Sequence, residues 1–337
     1  MTQTELQRIP VRDTTKPILT VRDLQVEYKI GRGTCGAVNH VSFDIYPNEI
    51  FGLAGESGSG KSTIAHAITR LLKPPGYIKG GSIKFMDYDL MQMDAESLRD
   101  FRWRHLSIVS QSAMNALNPV LTVGDQIIDA IVAHEEIKKE KALNRALDLL
   151  QLVGIDKERI NSYPHQLSGG MRQRAVIAIA LALNPELIIL DEPTTALDVV
   201  VQRQIMEEIQ SLQQRFGFSI LYITHDMSLL VEFAHRIAIM YAGQIAEVGP
   251  SNQIFQNPKH PYTVRLMNSF PSISGPRKKL QSIPGSPPNL ISPPSGCRFH
   301  PRCELAFEEC LIINPKLVKV GQNHHAACLL IQEERSS

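Results

Sequence analysis

The sequence predicts an α/β fold with a buried parallel sheet, on the basis of three features. Residues 187–190 and 220–223 are runs of consecutive apolar residues, and each is followed by carboxylate or imidazole side chains. A third apolar run, residues 50–54, leads into a glycine-rich turn, after which residues 62–72 have helical spacing. Strands of a parallel sheet are buried on both faces, so they read as continuous apolar runs with binding groups at their carboxyl ends.

Composition excludes several classes of protein. The 337 residues include 35 Lys+Arg and 34 Asp+Glu, a net charge of +1, which gives no electrostatic basis for binding nucleic acid or an acidic membrane. The best apolar stretch, residues 175–183, ends at Asn184-Pro185 and is shorter than the roughly 20 residues that span a bilayer. The N-terminus lacks the apolar stretch of a secretory signal, so we expect a soluble cytoplasmic chain that works at a membrane only through partners.

The chain divides near residue 250. Residues 1–17 read as a loose tail, and the next segments, 18–21, 24–28 and 38–45, read as strands. Residues 123–160 are largely helical in pattern, with Leu143, Ala146, Leu147 and Leu150 on one face. After residue 250 the composition shifts, and the Pro-, Ser- and Gly-rich stretch 271–294 is incompatible with regular helix or central strand.

The glycine-rich turn fits the pattern G-x-x-x-x-G-K-[ST], which binds nucleotide phosphates. Its glycines let backbone N–H groups turn inward, and the following helix points its N-terminus at the same anion. Lys61 would neutralise the β- and γ-phosphates, and the Ser62 hydroxyl would bind Mg²⁺. The predicted ATP-contacting residues of this segment are Gly55, Glu56, Ser57, Gly58, Ser59, Gly60, Lys61, Ser62 and Thr63.

A phosphate loop of this kind requires a carboxylate site, and residues 187–192 supply it. Asp191 closes the apolar run, where it can hold Mg²⁺ through water. Glu192 follows directly, where it can polarise an attacking water as a general base.

The segment Leu167-Ser168-Gly169-Gly170-Met171-Arg172-Gln173-Arg174 resembles the signature motif of ABC ATPases. Physically it is a second anion nest at the start of a helix predicted to continue to Leu183. The resemblance implies that Ser168, Gly169, Gly170 and Gln173 contact the γ-phosphate held by a partner subunit. Two such chains would then sandwich two ATP molecules head to tail.

Four further positions match this family in order. Tyr28 resembles the aromatic residue that stacks on adenine, and Gln111 resembles the glutamine that senses Mg²⁺ and couples to the membrane subunit. Asp198, in Thr195-Ala196-Leu197-Asp198, resembles the loop that crosses the dimer interface, and His225 resembles the histidine that contacts the γ-phosphate. The resemblance covers residues 18–250 as an ABC nucleotide-binding domain with a helical subdomain at about 112–170. It implies an active ATPase.

The remaining motifs resemble the ATP-binding subunits of oligopeptide/dipeptide importers. They are Asn115-Ala116-Leu117-Asn118-Pro119, His260-Pro261-Tyr262-Thr263, Ile283-Pro284-Gly285 and residues 296–303, Gly-Cys-Arg-Phe-His-Pro-Arg-Cys. With Met171 at this position, the signature segment resembles that of the subunit called the D half. This resemblance implies a heterodimer with the related F-half subunit. The other implied partners are two transmembrane permease subunits and, indirectly, an extracytoplasmic substrate-binding protein, with this chain on the cytoplasmic face of the membrane. Peptides are the implied substrate, with oligosaccharides or nickel complexes as alternatives.

Four cysteines within residues 251–337 predict a small, irregular metal-cluster region. Five, six and seventeen residues separate Cys297, Cys303, Cys310 and Cys328, and this spacing lacks the close pairs of zinc ribbons. Four thiolates on irregular loops can hold a [4Fe–4S] cluster, and the positions match those of D-half subunits that carry one. Zinc stays an alternative because His300, His324 and His325 are nearby candidate ligands, and a metal-free or disulfide-bonded region is a third.

A soluble ABC ATPase of translation or DNA repair is the rival class. Those proteins usually carry two cassettes or a long coiled-coil insertion, whereas this chain has one cassette and no sustained heptads.

Overall fold

The chain in the computed structural model alternates between two units. The described residues are 9, 13–31, 33–111, 116–195, 197–269 and 283–333, so most of the predicted tail 1–17, and parts of the motifs that contain Asn115 and Ala196 and of the stretch 271–294, lie outside them. The first unit draws on residues 1–18, 45–49 and 92–222, and the second on residues 19–44, 50–91 and 223–337.

The regular elements in the described ranges are as follows. The strands are β1 (Leu19–Ile30), β2 (Gly33–Ile45), β3 (Ile50–Ala54), β4 (Gly76–Phe85), β5 (Tyr88–Asp89), β6 (Leu106–Val109), β7 (Leu187–Asp191), β8 (Ser219–Ile223), β9 (Arg236–Tyr241), β10 (Gln244–Pro250), β11 (Val318–Gly321) and β12 (His324–Ala326). The α-helices are α1 (Lys61–Ile68), α2 (Ala95–Arg104), α3 (Val123–Val132), α4 (Lys139–Leu152), α5 (Gly169–Ala180), α6 (Val199–Phe216), α7 (Met227–Phe233), α8 (Ser251–Gln256), α9 (Pro261–Asn268) and α10 (Leu329–Glu333).

The first unit contains the buried parallel strands that the sequence predicts. β6 and β7 pair in parallel with Val109 opposite Leu190, and β8 lies next to β7. Every residue of β7 and of β8 is buried. Apolar side chains of α5 and α6, among them Ile177 and Ile209, line the same small space as strand residue Ile188, which accounts for the unbroken apolar runs.

The helical segment of this unit contains α3 and α4, joined to α5 by two short 3₁₀ turns. The predicted apolar face of α4 was partly wrong. Leu143 is 38% exposed, and the buried residues are Ala142, Ala146, Leu149 and Leu150. These four positions follow the helical repeat around a slightly rotated stripe, and the neighbouring helices α3 and α5 pack against α4.

The second unit contains an antiparallel sheet in the order β2-β1-β4-β5. β1 is one strand where the sequence predicted two, with irregular register between Arg22 and Val26. A second group of strands places β3 parallel to β9, with β10, β12 and β11 following in order. Because β10 ends at Pro250 and pairs with β12, which lies after it in the chain, the C-terminal region adds strands to this group. The predicted domain boundary at residue 250 stays a prediction.

No α-helix in the described ranges has both the length and the sustained apolarity that crossing a bilayer requires.

Candidate functional site

The loop between β3 and α1 has the geometry of an anion cradle. Its path requires glycine at both ends: a Cβ on Gly55 would lie 2.2 Å from the Met240 carbonyl oxygen, and one on Gly60 would lie 2.3 Å from that of Ala37. Gly60 has a positive φ of 104° and is the N-cap of α1. The loop therefore ends with the helix N-terminus directed at whatever anion the loop holds.

Lys61 is held at this loop by backbone contacts. Its side chain is buried, and Nζ donates to the carbonyl oxygens of Gly55 at 2.9 Å and Glu56 at 3.0 Å. The Ser59 hydroxyl is also buried and has no hydrogen-bond partner among the described residues. A buried ammonium and an unsatisfied hydroxyl beside a helix N-terminus suit a phosphate group.

Tyr28 lies beside the same helix. Its hydroxyl is 3.4 Å from the Thr63 Oγ1, and a Cβ on Gly76 would come within 2.6 Å of its ring. The structure thus brings two predicted nucleotide-contacting residues together. His225, in the same unit, is exposed and lies directly before Asp226, which caps α7.

The first unit brings Gln111 and Glu192 together. Gln111 Nε2 donates to Glu192 Oε2 at 2.9 Å, and the Thr195 hydroxyl donates to the same oxygen at 3.1 Å. Glu192 has a positive φ of 47° just after β7, while Asp191 at the strand end is only 1% exposed. The carboxylate of Glu192 is therefore aimed by two side chains, and the sequence did not single out Thr195.

The predicted signature segment opens α5. Ser168 is the N-cap, and its Oγ accepts the Met171 N–H at 3.3 Å. Ser168 is exposed, with Gly169 and Gly170 partly exposed, so this helix N-terminus is accessible. Gln173, predicted with them, is instead 1% exposed, and its Nε2 has no hydrogen-bond partner within the described ranges. The helix was predicted to reach Leu183 but ends at Ala180, four residues before Asn184, which has a positive φ.

Asp198 begins α6. Its Oδ1 accepts the Val201 N–H at 3.0 Å. The next two residues, Val199 and Val200, are 73% and 67% exposed, an unusual pair of apolar side chains beside an exposed carboxylate.

The four cysteines of residues 251–337 are free thiols, and Cys310 and Cys328 are buried. They lie near enough for the other three to affect Cys297. Burial, followed by the charges of the other three, raises the pKa of Cys297 to about 11. Burial also raises the pKa of the Cys303 and Cys328 thiols. However, no three His, Cys, Asp or Glu side chains among the described residues are arranged to hold a metal ion, so the predicted metal centre is not supported.

Two of the histidines predicted as alternative zinc ligands have other partners. His324 Nε2 lies 2.6 Å from the buried Glu247 carboxylate, and His300 Nδ1 lies 2.9 Å from the carbonyl oxygen of Cys297. A histidine nitrogen engaged in this way is not available to a metal without rearrangement.

Sequence reasoning missed two residues that contact the phosphate loop. Arg302 forms a bidentate pair with the Glu56 carboxylate at 2.7 and 3.0 Å, and the Tyr262 hydroxyl oxygen accepts the Glu56 N–H at 3.0 Å. Both lie in segments that the sequence marked only as resembling peptide importers. No signal in the sequence could have found them, because no spacing specifies which distant base pairs with an acid of the loop.

Two family models match this chain. Residues 38–195 match the model described as ABC transporter, and residues 246–310 match that of the oligopeptide/dipeptide transporter C-terminal region. Among curated relatives, the dipeptide transport ATP-binding protein DppD of Caldanaerobacter subterraneus subsp. tengcongensis is 41% identical, over 94% of this chain and 98% of the relative. The oligopeptide transport ATP-binding protein OppD of Bacillus subtilis is 43% identical, over 94% of this chain and 90% of the relative.

Solved structures give the same family. The ATP-binding cassette MJ0796, in a dimeric post-hydrolysis state bound to ADP and Pi, superposes with a TM-score of 0.63 at 29% identity, covering 69% of this chain and 98% of that one. CbiO1 from Clostridium perfringens, part of the ABC transporter complex cbiONQ, gives a TM-score of 0.62 at 25% identity, covering 74% of this chain and 93% of that one.

Proposed function

The chain belongs to the ATP-binding subunits of ABC transporters, and we propose that it is an ATP-hydrolysing motor of an importer for di- or oligopeptides. The observation that carries this proposal is the likeness to DppD over 98% of that protein's length. It extends through the C-terminal region, where the matching model is specific to oligopeptide/dipeptide transporters. Membership of the family confirms the resemblance stated from the motifs.

The motifs, and the local geometry within each unit, support ATP hydrolysis by named residues. The N–H groups of loop 55–60, together with Lys61, bind the phosphates, and Tyr28 stacks on the adenine. Glu192 takes a proton from a water whose oxygen bonds to the γ-phosphorus as the bond to the β–γ bridging oxygen breaks, releasing ADP and phosphate. Gln111, whose amide donates to Glu192, aims that carboxylate, and His225 contacts the γ-phosphate.

The motifs assign a magnesium ion to Ser62, Gln111 and Asp191. A hydroxyl, an amide oxygen and a carboxylate are all oxygen donors, which suits this hard cation. When bound, the ion supplies positive charge that neutralises the β- and γ-phosphates.

A second ATP-binding subunit completes the site in this proposal. The α5 N-terminus, with exposed Ser168, is free to meet a nucleotide on a partner, and Asp198 with Val199 and Val200 suits a subunit interface. The related cassette MJ0796 is dimeric. We propose a heterodimer with an F-type subunit, bound at the cytoplasmic face of the membrane to two permease subunits that receive substrate from a binding protein.

We also propose, from the positions of the four cysteines in the sequence, a [4Fe–4S] cluster that cross-links the C-terminal region. Their four sulfurs are the donors that such a cluster requires. All four are free thiols, and the other three lie close enough to Cys297 to raise its pKa. Since raised pKa values keep thiols protonated, binding of the cluster requires proton release and a shift of the side chains to ligand geometry.

Anaerobic purification should yield brown protein with iron matched by sulfide. Colourless protein, with zinc or with nothing bound, would overturn this proposal. Cys303→Ser should lose the brown colour, and the control is Cys35→Ser, which replaces the one cysteine outside residues 251–337.

The experiment that tests the motor function is affinity purification of the tagged chain from gently solubilised membranes. We expect two multispanning permeases and a second ABC ATPase by mass spectrometry, and these should be absent from an untagged control. The associated binding protein, screened against peptides, oligosaccharides and nickel complexes, then identifies the substrate. Recovery of ribosomes, DNA or soluble proteins alone would place the chain in the soluble class.

A further inference from the structure

Glu56 is the acidic residue of the phosphate loop, and residues from the C-terminal region hold it from two sides. Its carboxylate forms both bonds of a bidentate pair with Arg302, and its backbone N–H donates to Tyr262. Its carbonyl oxygen accepts from Lys61 Nζ at 3.0 Å. Glu56 therefore connects the C-terminal region to the ammonium group that must face the phosphates.

The Arg302 side chain is buried and fixed by several contacts. Its side chain is only 5% exposed, against 24% for Glu56. Nε donates to the Pro284 carbonyl oxygen at 2.7 Å, Nη1 also donates to the Tyr241 hydroxyl at 3.2 Å, and the guanidinium lies 5.7 Å from the Tyr241 ring centre. A guanidinium with this many fixed partners loses little further entropy in holding a carboxylate.

The surroundings of the pair are a small aromatic core. The rings of Tyr241, Tyr262 and Phe299 lie with centres 4.6 to 5.4 Å apart. Phe299 and Arg302 both come from the stretch between Cys297 and Cys303, where a 3₁₀ turn spans His300–Arg302. The four-cysteine segment thus contributes directly to the support of the phosphate loop.

We propose that Arg302 is a positioning residue of the ATP site, which neutralises the Glu56 carboxylate and fixes the loop in its phosphate-binding shape. An unpaired carboxylate at this position would repel a polyphosphate in a poorly screened environment. Loss of the Arg302 pair would also leave Glu56 free to move. The backbone carbonyl of Glu56, which accepts from Lys61 Nζ, would move with it. The role rests on the proposed function, because it concerns affinity for ATP.

The test is equilibrium binding of ATP, by competition with a fluorescent ATP analogue, to the purified full chain. Arg302→Gln should weaken binding about 10-fold or more, because it leaves a largely buried charge without its partner. Adding Glu56→Gln to Arg302→Gln should restore most of the affinity, since the repelling charge is then gone. Arg302→Lys, which keeps the charge but not the bidentate geometry, should fall between wild type and Arg302→Gln.

Arg265→Gln is the matched control, because Arg265 lies in the same region but pairs with the exposed Glu304. It should bind ATP as wild type does. Wild-type affinity in Arg302→Gln would overturn the role. A double variant that binds ATP as weakly as Arg302→Gln alone would also overturn it, because a purely structural defect is not repaired by the second substitution. If Arg302→Gln does not fold, wild-type affinity in Arg302→Lys overturns it. Absence of ATP binding by the wild-type chain would instead count against the proposed function.

Discussion

The amide of Gln111 donates to the carboxylate of Glu192 over 2.9 Å, joining residues that are 81 positions apart in the chain. The sequence indicated a separate role for each, one for sensing Mg²⁺ and one for activating water. Their contact means that whatever moves Gln111 also moves the proposed base. Gln111, which is proposed to couple to the membrane subunits, is therefore joined by a single hydrogen bond to the proposed general base.

Replacing Glu192 by Gln should abolish hydrolysis while ATP still binds. Glutamine keeps an oxygen that can accept from Gln111 but cannot take a proton, so turnover should fall by about 10²- to 10⁴-fold. Phosphate release and nucleotide binding, measured on the assembled transporter, test this. Glu207→Gln, which removes an exposed carboxylate paired with Arg203, is the control. Normal turnover in Glu192→Gln would mean that another group is the base.

Replacing Lys61 by Met should remove ATP binding. The variant deletes the buried ammonium that bonds the carbonyls of Gly55 and Glu56, and with it the charge that faces the phosphates. Titration with a fluorescent nucleotide measures the loss. Lys73→Met, in the exposed segment after α1, should bind as wild type does. Equal affinities for the two variants would contradict the phosphate-binding role of the loop.

Replacing Ser168 by Ala separates helix capping from catalysis. Loss of the Oγ bond to the Met171 N–H should cost about 1 kcal/mol in the free energy of unfolding. The control is Asp94→Ala, which removes the N-cap of α2 that accepts the Ser97 N–H at 2.8 Å. Both should lose similar stability in urea, but only Ser168→Ala should lose ATP hydrolysis in the assembled dimer. If both variants keep ATP hydrolysis, Ser168 only caps the helix and has no role in catalysis.

His260 should make the fold sensitive to mild acid. Burial lowers the pKa of His260 to about 4 from an ordinary 6.5, so the folded state favours the neutral ring and the unfolded state takes up the proton first. This stability is present above pH 6.5 and is lost as the pH falls toward 4, in total about 3 kcal/mol.

Urea unfolding of His260→Asn at pH 7.5 and pH 5 checks that pH dependence. Asparagine can still accept the Tyr262 N–H, which His260 Nδ1 accepts at 3.0 Å, so the helix cap survives. The variant should lose less stability between the two pH values than wild type, whereas His165→Asn, at an exposed position, should behave as wild type. An unchanged pH dependence in His260→Asn would show that His260 is not the source of the acid sensitivity.

Much of the ATP site could be predicted because its chemistry is local. A phosphate loop needs glycines, a lysine and a helix start within eight residues, and Gly55–Ser62 places them there in one stretch. The buried strands β3, β7 and β8 were visible for the same reason, since burial on both faces imposes an unbroken apolar run. Strands β4, β9 and β10, each with an antiparallel neighbour, were not identified, because such strands are specified mainly by their neighbours.

The sequence by itself determined the family, the nucleotide-binding segments and the residues proposed for catalysis, because each depends on residue type at short spacing. Only the tertiary structure decided that Gln111 meets Glu192, that Gln173 is buried and that Arg302 holds Glu56. It also showed that the four thiols lie near one another without metal-binding geometry. Contacts between residues up to 246 positions apart depend on how strands and helices pack, and no local pattern in the chain encodes that distance.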